Sequence, residues 1–293
     1  MHYFFLKLDA GNREIYRLEK NQPEAAIYFD HLDEATYLAG EGERQARDFW
    51  ERGHAENWVE TVMVVIAQGR LWLLQPTGRV RFDPEGMDGR RAKVMPVCKL
   101  KEVDCKDVPP VLAGLGSSQF HGRRTFTKIG HWGNLKAIDF VLGRLTSDQP
   151  LEEEHWDPSK QRAAQLLECL GSTEFETLVG RLLEAHGCHV PAFHGGTLKD
   201  IDLFAWNESE GAISIGEMVI PAKERVSIQV KTWGEYERSK SVTYLVGFEV
   251  KTGPNSFDAD WVLKAVQGTP SVKAWMLKSL DWLPKWFLQQ FGL

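Results

Sequence analysis

Apolar and polar positions alternate with two different periods along this chain, and the change of period divides it. Short apolar runs at His2–Leu6, Ala26–Phe29, Val59–Ala67, Leu71–Leu74, Arg79–Phe82 and Ala92–Val103 are separated by Gly, Pro, Asn and Asp clusters. Runs of that length and punctuation predict strands joined by turns. Asp33–Arg52 is polar and free of proline, which predicts a helix, and Leu135, Ile138, Val141 and Leu142 recur at helical spacing over Asn134–Leu145.

From Thr146 to Lys160 the chain turns to Thr, Ser, Asp, Gln and Pro with the acidic run Glu152-Glu153-Glu154, a composition that anchors to no core. A helix restarts near Pro158, with Ala163, Leu166, Leu167 and Leu170 on one face and Gly171 as its stop. Over Thr173–Gly187 the residues Phe175, Leu178, Val179, Leu182 and Leu183 form one apolar stripe, the strongest helical signal in the sequence. Next come an expected strand at Cys188–Phe193, a turn at His194–Asp200 and a strand at Asp202–Trp206, then a hairpin of Ala212–Ile215 with Met218–Ile220. Strands at Val226–Lys231 and Val242–Val250, a helix at Phe257–Gln267, a strand at Ser271–Leu277 and an amphipathic helix at Trp282–Phe291 complete the pattern. The expected organisation is a strand-rich α+β domain over 1–148, a linker over 149–160 and an α/β domain over 161–293, its mixed central sheet flanked by helices.

With 43% apolar residues and 11 tryptophans among 293 residues, the chain can fill two cores. No window approaches the roughly 18 apolar residues of a membrane span, and Lys7 and Asp9 interrupt the apolar start short of a signal-peptide core, so no membrane partner and a cytoplasmic location are expected. Cys98, Cys105, Cys169 and Cys188 form no CxxC pair, which predicts reduced core residues. The net charge of −6 excludes coating of nucleic acid by bulk electrostatics, and leaves room for a local basic surface.

Such a surface is suggested by Arg79, Arg81, Arg90, Arg91, Lys93, Lys99, Lys101, Arg123, Arg124, Lys128 and Lys136, interleaved with Phe82, Phe120, Phe126, His131 and Trp132. Cations neutralise phosphates and aromatic faces stack on bases. Arg90, Arg91, Arg123, Arg124, Lys128 and Trp132 are therefore the candidate nucleic-acid contacts, although a solvated surface with core aromatics explains the same letters. The strand pattern followed by Gly122–Ile129 resembles the small barrels of the PUA-like group, which implies a reader of modified bases.

In Val226–Lys231 the apolar Val226, Ile228 and Val230 alternate with Ser227, Gln229 and Lys231. A period of two sends the two sets to opposite faces and leaves Gln229 and Lys231 about 7 Å apart along one of them. Upstream, Glu176 has two readings. Thr173-Glu174-Phe175-Glu176 fits a capping box, in which the Glu bonds back to the cap amide, and the same carboxylate fits chemistry with Asp202 and Lys231.

The ordered set of Glu174-Phe175-Glu176 with Leu178-Val179 and Leu182-Leu183, the helix-ending Gly187, Asp200-Ile201-Asp202-Leu203 and Gln229-Val230-Lys231 resembles the Mrr-like branch of the restriction-endonuclease superfamily, the PD-(D/E)xK nucleases. The resemblance covers roughly residues 170–235 and is silent on 1–150. It implies a restriction-endonuclease-like domain, a Mg²⁺ cofactor replaceable by Mn²⁺, DNA as partner, and a role in restriction or phage defence. Asp202 would be the principal metal ligand with Glu176 reaching the same ion, and Lys231 would hold or deprotonate the attacking water. Gln229 stands where much of the superfamily has an acid; in the Mrr-like branch Gln is usual and the helix Glu compensates. Asp200 joins the site if its strand begins early and otherwise belongs to the turn. Cutting both strands needs two such sites, so a homodimer is expected. Two competitors remain open: an inactive nucleic-acid-binding or regulatory module on the same fold, and a nuclease for RNA or branched DNA.

Overall fold

The computed structural model describes the chain except residues 9–13, 30–31, 33, 40–41, 84–90, 118–124, 146–161, 192, 199 and 252, and describes the backbone alone at 37–38, 193–198 and 233–235. The architecture is mixed α/β. It divides into two compact units, one of residues 1–131 with 141–144, the other of 132–140 with 145–293. The helix Trp132–Val141, expected at the end of the first domain, thus lies mostly in the second unit. Among the described residues no helix is long and apolar enough to cross a membrane, and the four cysteines are free.

The first unit is built on strands β1 (His2–Leu6), β2 (Glu24–Ile27), β3 (Thr61–Ala67), β4 (Arg70–Pro76), β5 (Arg81–Asp83), β6 (Ala92–Asp104) and β7 (Phe126–Ile129). Their order is β2-β6-β4-β3-β1-β7, with β5 also on β6. The pairing is antiparallel except between β1 and β3. β3 and β4 are buried on both faces, as their unbroken Val, Met, Leu and Trp runs require. Phe126 stacks on Phe4 at 4.7 Å and meets Phe49 edge-on at 5.2 Å, which ties β7, β1 and the helix Arg44–Arg52 into one core. The single helix expected over Asp33–Arg52 is instead two, Glu34–Leu38 and Arg44–Arg52, because the intervening Ala39–Glu43 carries two glycines of low helix propensity.

In the second unit β8 (Phe193–Leu198), β9 (Ile201–Trp206), β12 (Arg225–Tyr236), β13 (Tyr244–Val250) and β14 (Ser256–Phe257) form a mixed sheet in the order β14-β13-β12-β9-β8, while β10 (Ile213–Ile215) and β11 (Met218–Ile220) make the expected hairpin. β12 runs parallel to β13 and antiparallel to β9. Residues Tyr244–Phe248 are all buried, so β13 is covered on both faces. The helix Ser172–Ala185 lays Phe175, Leu178, Val179, Leu182 and Leu183 on the sheet, with Phe175 and Phe248 at 4.6 Å. It ends in a Schellman turn: Gly187 takes φ +95°, and the amides of Gly187 and Cys188 donate to the carbonyls of Glu184 and Leu183.

Four expectations are corrected here. Ser271–Leu277 belongs to the helix Pro270–Ser279: Pro270 opens it, and the buried Val272 and Met276 are four apart, a spacing that mimics alternation over so short a stretch. The strand expected at Cys188–Phe193 is reduced to a bridge between His189 and Trp206, and the expected turn at His194–Asp200 is largely β8, whose hairpin closes from Leu198 to Ile201. The terminal helix shortens to Lys285–Gln289 because Pro284 caps its start.

Candidate functional site

β9 and β12 pair from Trp206 and Arg225 to Leu203 and Ile228. Leu203, Ala205, Val226, Ile228 and Val230 are buried on one face, which puts Asp202, Gln229 and Lys231 on the other. One step beyond the last pair the ladder is replaced by a side chain, for the Val230 amide donates to Asp202 Oδ2 at 2.7 Å. That bond fixes the carboxylate where the strands part. Lys231 Nζ lies 3.8 Å from the same oxygen, and both side chains are largely shielded from solvent.

Gln229 is 4% exposed, and its Nε2 approaches Asp200 Oδ1 at 3.5 Å while Oε1 has no hydrogen-bond partner among the described residues. Asp200 belongs to the turn, with φ +64°, yet that left-handed bend brings its carboxylate to the site. Both readings of Asp200 are therefore partly realised: it is outside the strand and beside Gln229.

Glu176 does not cap its helix. The N-cap is Gly171, without a side-chain bond, and Glu176 is one turn further in. Burial, and then the Asp202 carboxylate, push its pKa up to about 7, with Lys231 opposing. Two carboxylates thus face one ammonium, which leaves an excess of negative charge beside an amide oxygen that is buried and unpartnered among the described residues.

These donors suit a hard cation. Among the described residues no group of three or more His, Cys, Asp or Glu stands close enough to hold a metal. Mg²⁺ keeps several waters and takes only one or two carboxylates from protein, so Asp202 and Glu176 with Gln229 Oε1 would hold it.

Two contributors escaped the sequence reading. Lys231 Nζ lies 5.8 Å from the ring centroid of Tyr236, which is 39% exposed at the end of β12. Gly247 of β13 faces Lys231 in register, and a Cβ there would stand 2.8 Å from the Lys231 carbonyl oxygen. Glycine inside a strand signals such an approach of backbone. Gly247→Ala is expected to displace Lys231 and destabilise the fold by about 1–3 kcal/mol, read by urea unfolding; unchanged stability would show that β12 yields without cost.

The proposed basic surface is less uniform than its letters. Arg90, Arg123 and Arg124 lie outside the described residues. Trp132 is buried and stacks on Phe287 at 5.7 Å, so it offers no face to a base. Lys93 is buried and donates to the Phe29 carbonyl at 2.7 Å, Arg81 pairs with Glu24, and Lys99 with Glu102. Lys136 is buried against Asp139, and burial lowers its pKa. Of the six candidate contacts, Arg91 and Lys128 are exposed.

Comparison of the chain with protein-family models, curated proteins and solved structures gives no match.

Proposed function

We propose that the second unit is a divalent-cation-dependent endonuclease that hydrolyses DNA phosphodiester bonds, of the PD-(D/E)xK type, acting in restriction or phage defence. The observation that carries this reading is the meeting of Asp202, Lys231, Gln229 and Glu176 from two strands and a helix, with Glu176 held near pKa 7. Bound Mg²⁺ would neutralise phosphate charge and make water nucleophilic near neutral pH. Asp202, oriented by the Val230 amide, would be the principal ligand of that cation. Lys231 holds the attacking water and offsets charge developing on the phosphoryl oxygens. Glu176, half ionised near neutrality, supplies the second carboxylate and compensates for the neutral Gln229.

The first unit would select the DNA, with Arg91 and Lys128 as phosphate contacts, and a homodimer would bring two sites to the two strands. The test is incubation of the purified protein with modified and unmodified plasmid, with and without Mg²⁺. Nicking or linearisation that requires the metal is the expected result, and intact plasmid of both kinds under all conditions would remove the reading.

A second reading has its own observation. The Gln229 amide leans on Asp200 rather than presenting a third charge, which suits a binding module without catalysis. Calorimetry separates the two, since an inactive module takes up no Mg²⁺ through Asp202.

A further inference from the structure

The sheet face that carries Asp202, Gln229 and Lys231 does not end at the site. Following β9 outward, Phe204 and Trp206 share that face, and across from them on β12 stand Ser227 and Arg225. Trp206 is 44% exposed, although tryptophan is among the most thoroughly buried residues on average. His189, also exposed, is bridged to Trp206 on its other side by reciprocal backbone bonds of 2.8 Å. Arg225 on β12, Trp206 on β9 and the bridged His189 therefore form one row, four residues and about 13 Å along β9 from Asp202. The Arg225 guanidinium lies 4.2 Å from the ring centroid of Phe204 and has no ion-pair partner among the described residues. Asn207 steadies the end of the row: it is fully buried and donates to the carbonyls of Gly211, Ile220 and Pro221.

We propose that this row is a track for an unpaired DNA strand leading to the candidate site, with Trp206 and His189 stacking bases and Arg225 contacting the backbone. The proposal rests on the nuclease reading for its direction and on the exposed row for its chemistry. An aromatic face receives a base only when that base has left the duplex stack, so the strand entering here is single-stranded or opened. Arg225 and Lys231 complement phosphate charge, and the track is continuous with the residues that would hold the scissile phosphate.

The experiment measures binding of a labelled single-stranded DNA, the matching duplex and the matching single-stranded RNA to the full chain by fluorescence anisotropy in EDTA, where no cleavage intervenes. Single-stranded DNA should bind more tightly than duplex. Trp206→Ala should weaken single-strand binding about tenfold, the scale of one lost base stack. Trp206→Phe should retain most of the affinity, and Arg225→Gln should lower the salt slope by about one. Equal affinity of Trp206→Ala and wild type for single-stranded DNA would overturn the track, and tighter binding of RNA would overturn its assignment to DNA. A measurement on the unmodified chain guards against a misfolded variant: photo-crosslinking of a 5-iodouracil strand should label the peptide carrying Trp206, and labelling confined elsewhere would also overturn the proposal. If the track fails while Asp202-dependent cleavage persists, the nuclease reading stands alone. If Trp206-dependent binding persists without cleavage under any condition, the track stands and the nuclease reading falls.

Discussion

Lys231→Ala is expected to lower Mg²⁺-dependent plasmid cleavage by about 10²–10³-fold, the scale of losing one positioned group that stabilises developing negative charge, while leaving Mg²⁺ binding intact or tighter. The second half of that expectation follows from geometry. The Lys231 ammonium sits 3.8 Å from Asp202 Oδ2, where it competes with any cation for the same carboxylate. Removing it deletes the water-holding group and the competitor together. Asp202→Asn should abolish cleavage and metal binding alike, without unfolding the site, because an amide oxygen still accepts from the Val230 amide. Calorimetric titration with Mg²⁺ beside a nicking assay reads both quantities. Undiminished cleavage by Lys231→Ala, or loss of metal binding by that variant alone, would reassign the two residues.

The sequence carried the placement of much of this candidate site because the facing of its side chains is written in periodicities, while the grouping of its residues came from the resemblance. The alternation over Val226–Lys231 set the facing of Gln229 and Lys231, and the stripe from Phe175 to Leu183 set the helix that bears Glu176. What it did not carry is set by tertiary contact. The separation of β9 and β12 at Asp202 depends on a side-chain-to-amide bond that no local pattern announces. The left-handed turn that returns Asp200 toward Gln229, and the approach of Gly247 to Lys231, are likewise properties of paired strands. The strand expected at Ser271–Leu277 was misread for a local reason. Over Ser271–Leu277 the window is too short for a period of two to be told from one of 3.6, and the opening Pro270 was the better signal. Trp132 shows the limit of composition: an aromatic among cations reads as a stacking platform, yet its ring is core, stacked on Phe287 from the far end of the chain.

Glu176→Gln should stabilise the metal-free protein at pH 8 and inactivate it. The Glu176 pKa is raised from 4.5 to about 7, so the folded state holds a proton that the unfolded chain has released. The favourable contribution of protonated Glu176 is complete below about pH 4.5 and is lost as pH rises through 7; above that, the folded state carries a carboxylate that burial and Asp202 disfavour. Glutamine keeps the shape and removes the charge. Discounted for the partial exposure of the group, the gain is about 1–2 kcal/mol at pH 8 and vanishes by pH 4. Mg²⁺ should reverse the order, because a cation held by both Asp202 and Glu176 stabilises the folded wild type more than a variant left with Asp202 alone. Urea unfolding of both proteins at pH 4 and pH 8, each with and without Mg²⁺, gives the four differences required. A pH-independent difference between the proteins would remove the electrostatic account of Glu176, and equal stabilisation of both by Mg²⁺ would remove Glu176 from the cation site while leaving Asp202 in it. The first result would make the helix carboxylate a bystander; the reversal would identify it as a group held at a cost to stability for the sake of the site.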